Sequence, residues 1–277
     1  MPWFPDFASA VELSRQQTRT AAAADPVAQY FTLLNTGDTH AIEDVWPGEV
    51  TLYDPLAGRI HGHRELRHFV QHNQSWLGAL HPRTEKVAAT VVGDRAVVEF
   101  MAHLHDEEGV ELAWPIAVVA ESPDDQSVSF RTYCRAWPIT GEHHRRPAIL
   151  SPGEDHPGGI VARYQAALAA GDAEAIVSTF APDGYYREPS SGPQYTHQGT
   201  EQLRAFFAAR FSSGGIGIQH CAVTDDGTRC ALEYTCLRWG THDLPPQAGI
   251  AVYERGADGL LTAVRGYDDI TPPAQAP

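Results

Sequence analysis

Two acid–proline dipeptides, Asp54-Pro55 and Glu188-Pro189, each follow a tyrosine, Tyr30 and Tyr164, at an interval of 24 residues. A carboxylate held in a largely apolar pocket loses solvation, so its pKa climbs and it becomes a better proton acceptor near neutrality. Asp and Pro both favour turns, so the dipeptide can simply end a strand, and a helix tyrosine can pack in the core with its hydroxyl satisfied. Glu188 is one methylene longer than Asp54 and follows Arg187, whose charge would keep that carboxylate ionised if it turned inward, although strand neighbours point to opposite faces.

Other chemistry-bearing residues are less informative. His103 with His105 and His68 with His72 have spacings that metal sites use, but 14 histidines make chance pairs expected and no motif fixes a third ligand, so no metal is assigned. The four cysteines, Cys134, Cys221, Cys230 and Cys236, fall in strand-like runs without a CxxC pair and read as buried thiols. There is no glycine-rich phosphate loop, nucleotide fingerprint or recognisable Ser-His-Asp motif, so no cofactor is implied.

The elements that must position these residues occur twice. Val27-Ala-Gln-Tyr30 and Asn35-Thr-Gly37-Asp38 match Val161-Ala-Arg-Tyr164 and Ala169-Ala-Gly171-Asp172 at a constant offset of 134. Ala41-Ile42, Trp46 and Asp54-Pro55 keep that phase against Ala175-Ile176, Phe180 and Glu188-Pro189. A three-residue insertion moves Gly62, Leu66, Arg67 and Phe69 to offset 137 against Gly199, Leu203, Arg204 and Phe206. Gly93 to Glu99 then returns to 134 against Gly227 to Glu233, and Ile116-Ala-Val meets Ile250-Ala-Val. An accident would not keep phase; two domains from one duplication is the economical account.

Each copy reads helix, helix, strand, helix, then an antiparallel meander. The opening helix carries Val27, Tyr30, Phe31 and Leu34 at three- and four-residue spacing and stops at Gly37. Asp38 and Asp172 sit where a helix N-cap belongs, and a third helix spans about 64–76 and 201–211. Strands are expected over 84–91, 95–105, 110–121 and 128–138, and over 217–224, 228–239, 247–255 and 259–269. The fold class is thus α+β: two tandem cones, each of three helices on a curved antiparallel sheet that encloses a pocket. The boundaries read as an N-terminal extension over 1–25 with a short helix at Ala21–Ala24, a first domain over 26–139, an exposed polar linker over 140–156, a second domain over 157–270 and a frayed tail over 271–277. Trp114 and Trp137, like Trp239 and Tyr267, are expected to line pockets or the outer face of the sheet and suggest a large apolar ligand.

The 277 residues carry a formal charge of -15, from 35 acidic against 20 basic side chains, which repels phosphate backbones and anionic lipid. Nucleic-acid and membrane partners are therefore not expected. No run approaches the length of a membrane span and the first residues lack a secretory apolar core, so the expected location is cytoplasmic.

Tyr30, Gly37-Asp38, Asp54-Pro55 and His61-Gly62 together resemble the ketosteroid isomerase-like, SnoaL-like and nuclear transport factor 2-like superfamily, and the resemblance extends over both copies. It implies that Asp54 is a general base moving a proton between carbons and that Tyr30 donates to the oxyanion, with Glu188 and Tyr164 their counterparts. It also places Ala117 and Ala251 where the isomerases use a protonated Asp, which argues against steroid isomerisation itself. Tandem acid–Pro motifs resemble fused polyether epoxide hydrolases as well, which implies an acid pair whose second members would be Glu99 and Glu233. On strand 95–105 the apolar face is Ala96, Val98, Phe100, Ala102 and Leu104, so burial sends Glu99 away from the core, whereas matching to the isomerases turns it to the pocket. The expected function is a cofactor-independent isomerase or cyclase acting on an apolar oxygenated molecule such as a polyketide or terpenoid. The alternatives are an epoxide hydrolase and a non-catalytic binding protein. The two copies are expected to pair within the chain as an intramolecular pseudo-dimer, in a monomer or a homodimer.

Overall fold

The computed structural model describes residues 25–80, 83–105, 109, 111–124 and 126–270; the expected helix at Ala21–Ala24 and the tail over 271–277 fall outside them. The first half runs α1 (Pro26–Thr36), α2 (His40–Val45), β1 (Glu49–Asp54), β2 (Gly58–His61), α3 (Gly62–Leu80), β3 (Arg83–Val92), β4 (Arg95–His105), β5 (Glu111–Asp124), β6 (Ser127–Tyr133) and a single-turn α4 (Trp137–Thr140). The second runs α5 (Gly159–Ala170), α6 (Ala173–Val177), β7 (Phe180–Arg187), β8 (Thr196–Gln198), α7 (Gly199–Arg210), β9 (Ile216–Asp225), β10 (Arg229–Trp239), β11 (His242–Arg255) and β12 (Leu261–Gly266). No helix among the described residues is long and apolar enough to cross a membrane.

Local chemistry sets the helix ends. Asp25 accepts from the Ala28 N–H at 2.9 Å and Pro26 occupies the first turn of α1, where a missing N–H costs nothing. Asp172 caps α6 in the same way, accepting from Ala175 N at 2.9 Å. In the first half the cap position is Thr39 instead, and Asp38 accepts from His40 N at 3.0 Å, one residue earlier than the repeat suggests. At the end of α5, Gly171 is left-handed, at φ 72°, and a Cβ there would lie 2.6 Å from the Gly215 nitrogen, so glycine is required on both counts.

Each half forms one six-stranded sheet, ordered β2-β1-β6-β5-β4-β3 and β8-β7-β12-β11-β10-β9. The sheets are mixed rather than wholly antiparallel: the last meander strand returns beside the first strand in the same direction, making β1–β6 and β7–β12 parallel pairs. One face of each sheet meets its helices. Val27, Tyr30, Ile42, Val98, Phe100 and Phe130 belong to the first core; Val161, Tyr164, Phe207, Leu232 and Tyr253 to the second.

The other faces meet each other. Val97, Ala117, Val119 and Tyr133 pack against Ala231, Ala248, Ile250, Val252 and Tyr267. Within this contact Arg131 grips Glu233 with two hydrogen bonds, Nε at 2.6 Å and Nη2 at 2.9 Å, and the Tyr133 hydroxyl donates to the same carboxylate at 2.7 Å. Offset by 134, Arg265 grips Glu99 at 2.6 and 2.9 Å and Tyr267 donates at 2.6 Å. The four charged residues are at most 2% exposed. The two triads are equivalents under a pseudo-twofold relation between the halves.

The pairing corrects one alignment. Glu99 faces Ala117 but Glu233 faces Ile250, so β5 and β11 correspond at offset 133, not 134. Ala117 therefore points to the sheet–sheet contact while Ala251 points to the second core, because one residue of slip exchanges the faces of a strand. The longer turn between β11 and β12 restores the phase.

The linker is not a free connector. Arg146 accepts from Ala248 N through its carbonyl at 3.0 Å, donates to Tyr53 O at 2.8 Å and to Thr132 O, and lies 4.5 Å over the Tyr133 ring. Pro147 bridges to Gln247, and Gly153 N donates to His220 O at 3.0 Å. Most of it is exposed, as its polar composition suggests, but the Arg146 side chain and the Gly153 amide satisfy carbonyls of the two halves.

Candidate functional site

The second half encloses a cavity between α5, α7 and the concave face of β7, β12, β11 and β10, with about 660 Å³ of unfilled space, its open mouth included. The walls are rings: Tyr164, Tyr186, Phe206, Phe207, Trp239 and Tyr253. Asp268, Tyr234 and Arg210 converge on it as well.

Asp268 follows β12 as the chain leaves the sheet. It is half-buried and forms part of the cavity wall. Tyr234 donates to Oδ2 at 2.5 Å and Ile270 N to Oδ1 at 3.1 Å. Burial raises the carboxyl pKa above the ordinary range; the two hydrogen bonds and the charges of Arg135 and Arg210 oppose that rise without cancelling it. Burial and Asp268 together push the Tyr234 phenol well above its usual value, so it stays a donor.

Tyr234 fits because its cross-strand partner is Gly249. A Cβ at Gly249 would lie 2.7 Å from the Tyr234 ring and 2.8 Å from its hydroxyl. Gly249→Ala is therefore expected to push the ring off Asp268 at a stability cost of about 1–3 kcal/mol, measured by urea denaturation alongside the tyrosine ultraviolet spectrum. An unchanged spectrum would show that the ring does not depend on this gap.

Arg210 ends α7 between two ring faces, 5.2 Å from the Phe206 centroid and 4.7 Å from that of Trp239. Its Nη1 lies 3.5 Å from Glu188, which also meets His197 Nε2 at 3.1 Å. Glu188 thus stands behind Arg210 and is not itself part of the cavity wall. Arg187 turns the other way, donating to the Tyr267 hydroxyl at 2.6 Å, as strand alternation requires. Tyr164 is part of the wall, edge-on to Tyr253 at 5.2 Å, and burial holds its phenol well above the usual pKa. The Tyr186 phenol is raised to about 12 by burial, with Asp268 and Glu188 both adding to the rise.

In the first half Tyr30 is buried and stacks on Phe130 at 4.9 Å. Burial, then the charge of Asp54, raises its phenol pKa. Asp54 ends β1 half-buried, and its Oδ1 accepts from Leu56 N and Ala57 N, both at 2.8 Å, capping the turn into β2. Trp114 packs against the first core and donates from its indole to Arg135 O at 2.7 Å. Trp137 is corrected from pocket to surface: it is 43% exposed and stacks on His143, because the strand ends at Tyr133 and Trp137 begins a helical turn with a proline in its first positions. Glu99 and Glu233 are likewise corrected, since the sheet–sheet contact, not a cavity, takes their face. Among the described residues no group of three or more His, Cys, Asp and Glu side chains is placed to hold a metal ion.

Asp268, Tyr234 and Arg210 are absent from the sequence reading, although a signal exists. At offset 134 the inward-facing Phe100 becomes Tyr234 and Cys134 becomes Asp268. Two core positions, one within a strand and one just past the end of another, turning polar together mark the half that carries a polar site.

A helix-lined cone on a mixed sheet, present twice, with an aromatic cavity in one copy, defines the class as tandem α+β cone domains. The chain belongs to the SnoaL-like domain family, whose model matches residues 27–137 and again 161–264. None of the curated proteins matches it. Among solved structures it is similar to a candidate polyketide cyclase from Sinorhizobium meliloti, with 21% identity over 40% of this chain and 94% of that one at a TM-score of 0.34. It is also similar to a Catenulispora acidiphila protein of ketosteroid isomerase-like fold in complex with trimethylamine, with 18% identity, 40% and 86% coverage and a TM-score of 0.34. An NTF2-like protein of unknown function from Cytophaga hutchinsonii matches at 14% identity, 42% and 93% coverage and a TM-score of 0.32.

Proposed function

We propose that the second-half cavity is a cofactor-independent acid/base site that moves a proton on an apolar, oxygenated small molecule of the polyketide or terpenoid kind, in an isomerisation or cyclisation. The observation that carries this is Asp268, a carboxyl of raised pKa held by Tyr234 at 2.5 Å against an aromatic cavity. As a carboxylate, Asp268 takes a proton from the carbon beside a carbonyl. Tyr164 and Tyr186, whose phenols stay protonated, donate to the oxygen on which charge develops, and the Arg210 guanidinium supports it. Asp268 then returns the proton to another carbon. On this reading Asp54 and Tyr30 serve the fold of the first half.

The test is exchange of the α-protons of a panel of apolar ketones in D₂O, followed by NMR. Wild type and Asp54→Asn are expected to exchange them, Asp268→Asn not. Saturable binding of the ketones with no exchange by any variant would leave a binding protein and sink the acid/base reading.

A further inference from the structure

We infer that Arg135, contributed by the first half, completes the second-half cavity as the positioning residue of Asp268, so that neither half carries the site alone. This rests on the acid/base reading of that cavity.

Arg135 follows β6, and its backbone is fixed on both sides. The Trp114 indole donates to its carbonyl at 2.7 Å, and the next amide, Ala136 N, donates to Asp269 Oδ2 at 3.0 Å. The side chain then crosses into the second half. Nη1 donates to Ser190 Oγ at 3.0 Å, while Nε, buried and without a hydrogen-bond partner, lies 3.7 Å from Asp269 Oδ1. Ser190 follows Pro189 and Asp269 follows Asp268, and both of those preceding residues form the cavity wall. The guanidinium is thus wedged between two wall segments, one residue from the wall on each side.

Asp269 is tied to the first half and the linker by more than this contact. It accepts from His144 N at 3.0 Å and meets His143 Nδ1 at 2.7 Å. These bonds hold the chain just after Asp268 and fix where its carboxyl points. Arg135 also acts through charge, opposing the effect of burial on both Asp268 and Tyr186. The other groups facing Asp268 are Tyr234 on β10, Tyr186 on β7 and Arg210 on α7, with the Ile270 N–H; Cys236 on β10 and Tyr253 on β11 also feel its charge.

The repeat strengthens the assignment. Arg135 and Asp269 are equivalent positions, 134 apart, and they face each other across the pseudo-twofold. Two identical halves would set Arg against Arg or Asp against Asp. The contact needs two different halves, which a fused duplication supplies and a homodimer of either half does not.

The test reads Asp268 directly, by the pH titration of its carboxyl carbon in the ¹³C NMR spectrum of the full chain, assigned by its loss in Asp268→Asn. Arg135→Gln is expected to raise the midpoint by about one pH unit, since a nearby positive charge is removed, and Arg135→Lys to restore most of it. Ser190→Ala, which frees the guanidinium, should raise it by part of that shift and decides the matter if Arg135→Gln does not fold. A midpoint unmoved in Arg135→Gln, or in Ser190→Ala where that variant must serve, overturns the inference. A merely structural role would lower stability and leave the midpoint in place. The titration does not depend on turnover: a shifted midpoint with no ketone exchanged fails the acid/base reading alone.

Discussion

Glu233→Leu is expected to cost about 3–5 kcal/mol of folding stability, the usual penalty for leaving a buried charge without its partner. Arg131 stays in the sheet–sheet contact when the carboxylate goes, and the Tyr133 hydroxyl loses its acceptor too. Glu121 lies 2.9 Å from Arg131 and softens the loss, but its side chain is 25% exposed and it reaches Nη1, not the Nε and Nη2 edge that Glu233 filled. Removing both charges should be milder. Arg131→Met with Glu233→Leu replaces the pair by apolar side chains of similar size, which elsewhere is neutral or stabilising. The measurement is the urea midpoint of the two variants and wild type, with Glu99→Leu and Arg265→Met as the matching set. A loss under about 1 kcal/mol for either single variant would mean that these triads behave like surface pairs.

Asp268→Asn is expected to slow α-proton exchange by about 10²- to 10⁴-fold, the range that a positioned acid or base supplies, while leaving ligand affinity largely intact because the amide keeps the shape. In wild type the rate should climb with pH through a midpoint above the ordinary carboxylate range, since Asp268 must be ionised to accept the proton. The same raised pKa has a stability consequence of definite sign. The folded state holds that proton more tightly than the unfolded chain, so wild-type stability falls as pH rises from the unfolded value through the folded one, and above it the penalty is complete. Asn carries no such penalty. The variant should match wild type at acid pH and exceed it at neutral pH, a gain in melting temperature coupled to a loss of rate. Lower stability of Asp268→Asn at neutral pH would show that burial does not hold this carboxyl under strain.

The duplication is legible because residues that terminate and anchor elements return to one offset on either side of a three-residue insertion, from Gly37 and Gly171 to Glu99 and Glu233. Alternation along β4 also sends Val98, Phe100 and Ala102 to the first core and Glu99 away from it. What alternation cannot say is what covers the second face. Glu99 reads as polar and therefore solvated, yet the arginine that neutralises it lies 166 residues away in the other half, a distance no local pattern spans. One linker residue departs for a related reason: Arg146 is charged but spends its donors on carbonyls of β1 and β6, while most of the segment is exposed as its composition suggests. The one-residue slip between β5 and β11 hides because Ile-Ala-Val occurs in both, and identical letters outweigh the pleat that decides their direction. Asp268 escapes because it lies just beyond a strand, where Asp-Asp reads as an ordinary exit turn.

Pairing the sheets inside one polypeptide, strapped by the Pro147–Gln247 bridge and the Arg146 side chain, makes their association unimolecular. Dilution cannot separate them: this contact is expected to add no dependence of the unfolding midpoint on protein concentration, whereas separate subunits joined through the same surface would come apart as they are diluted.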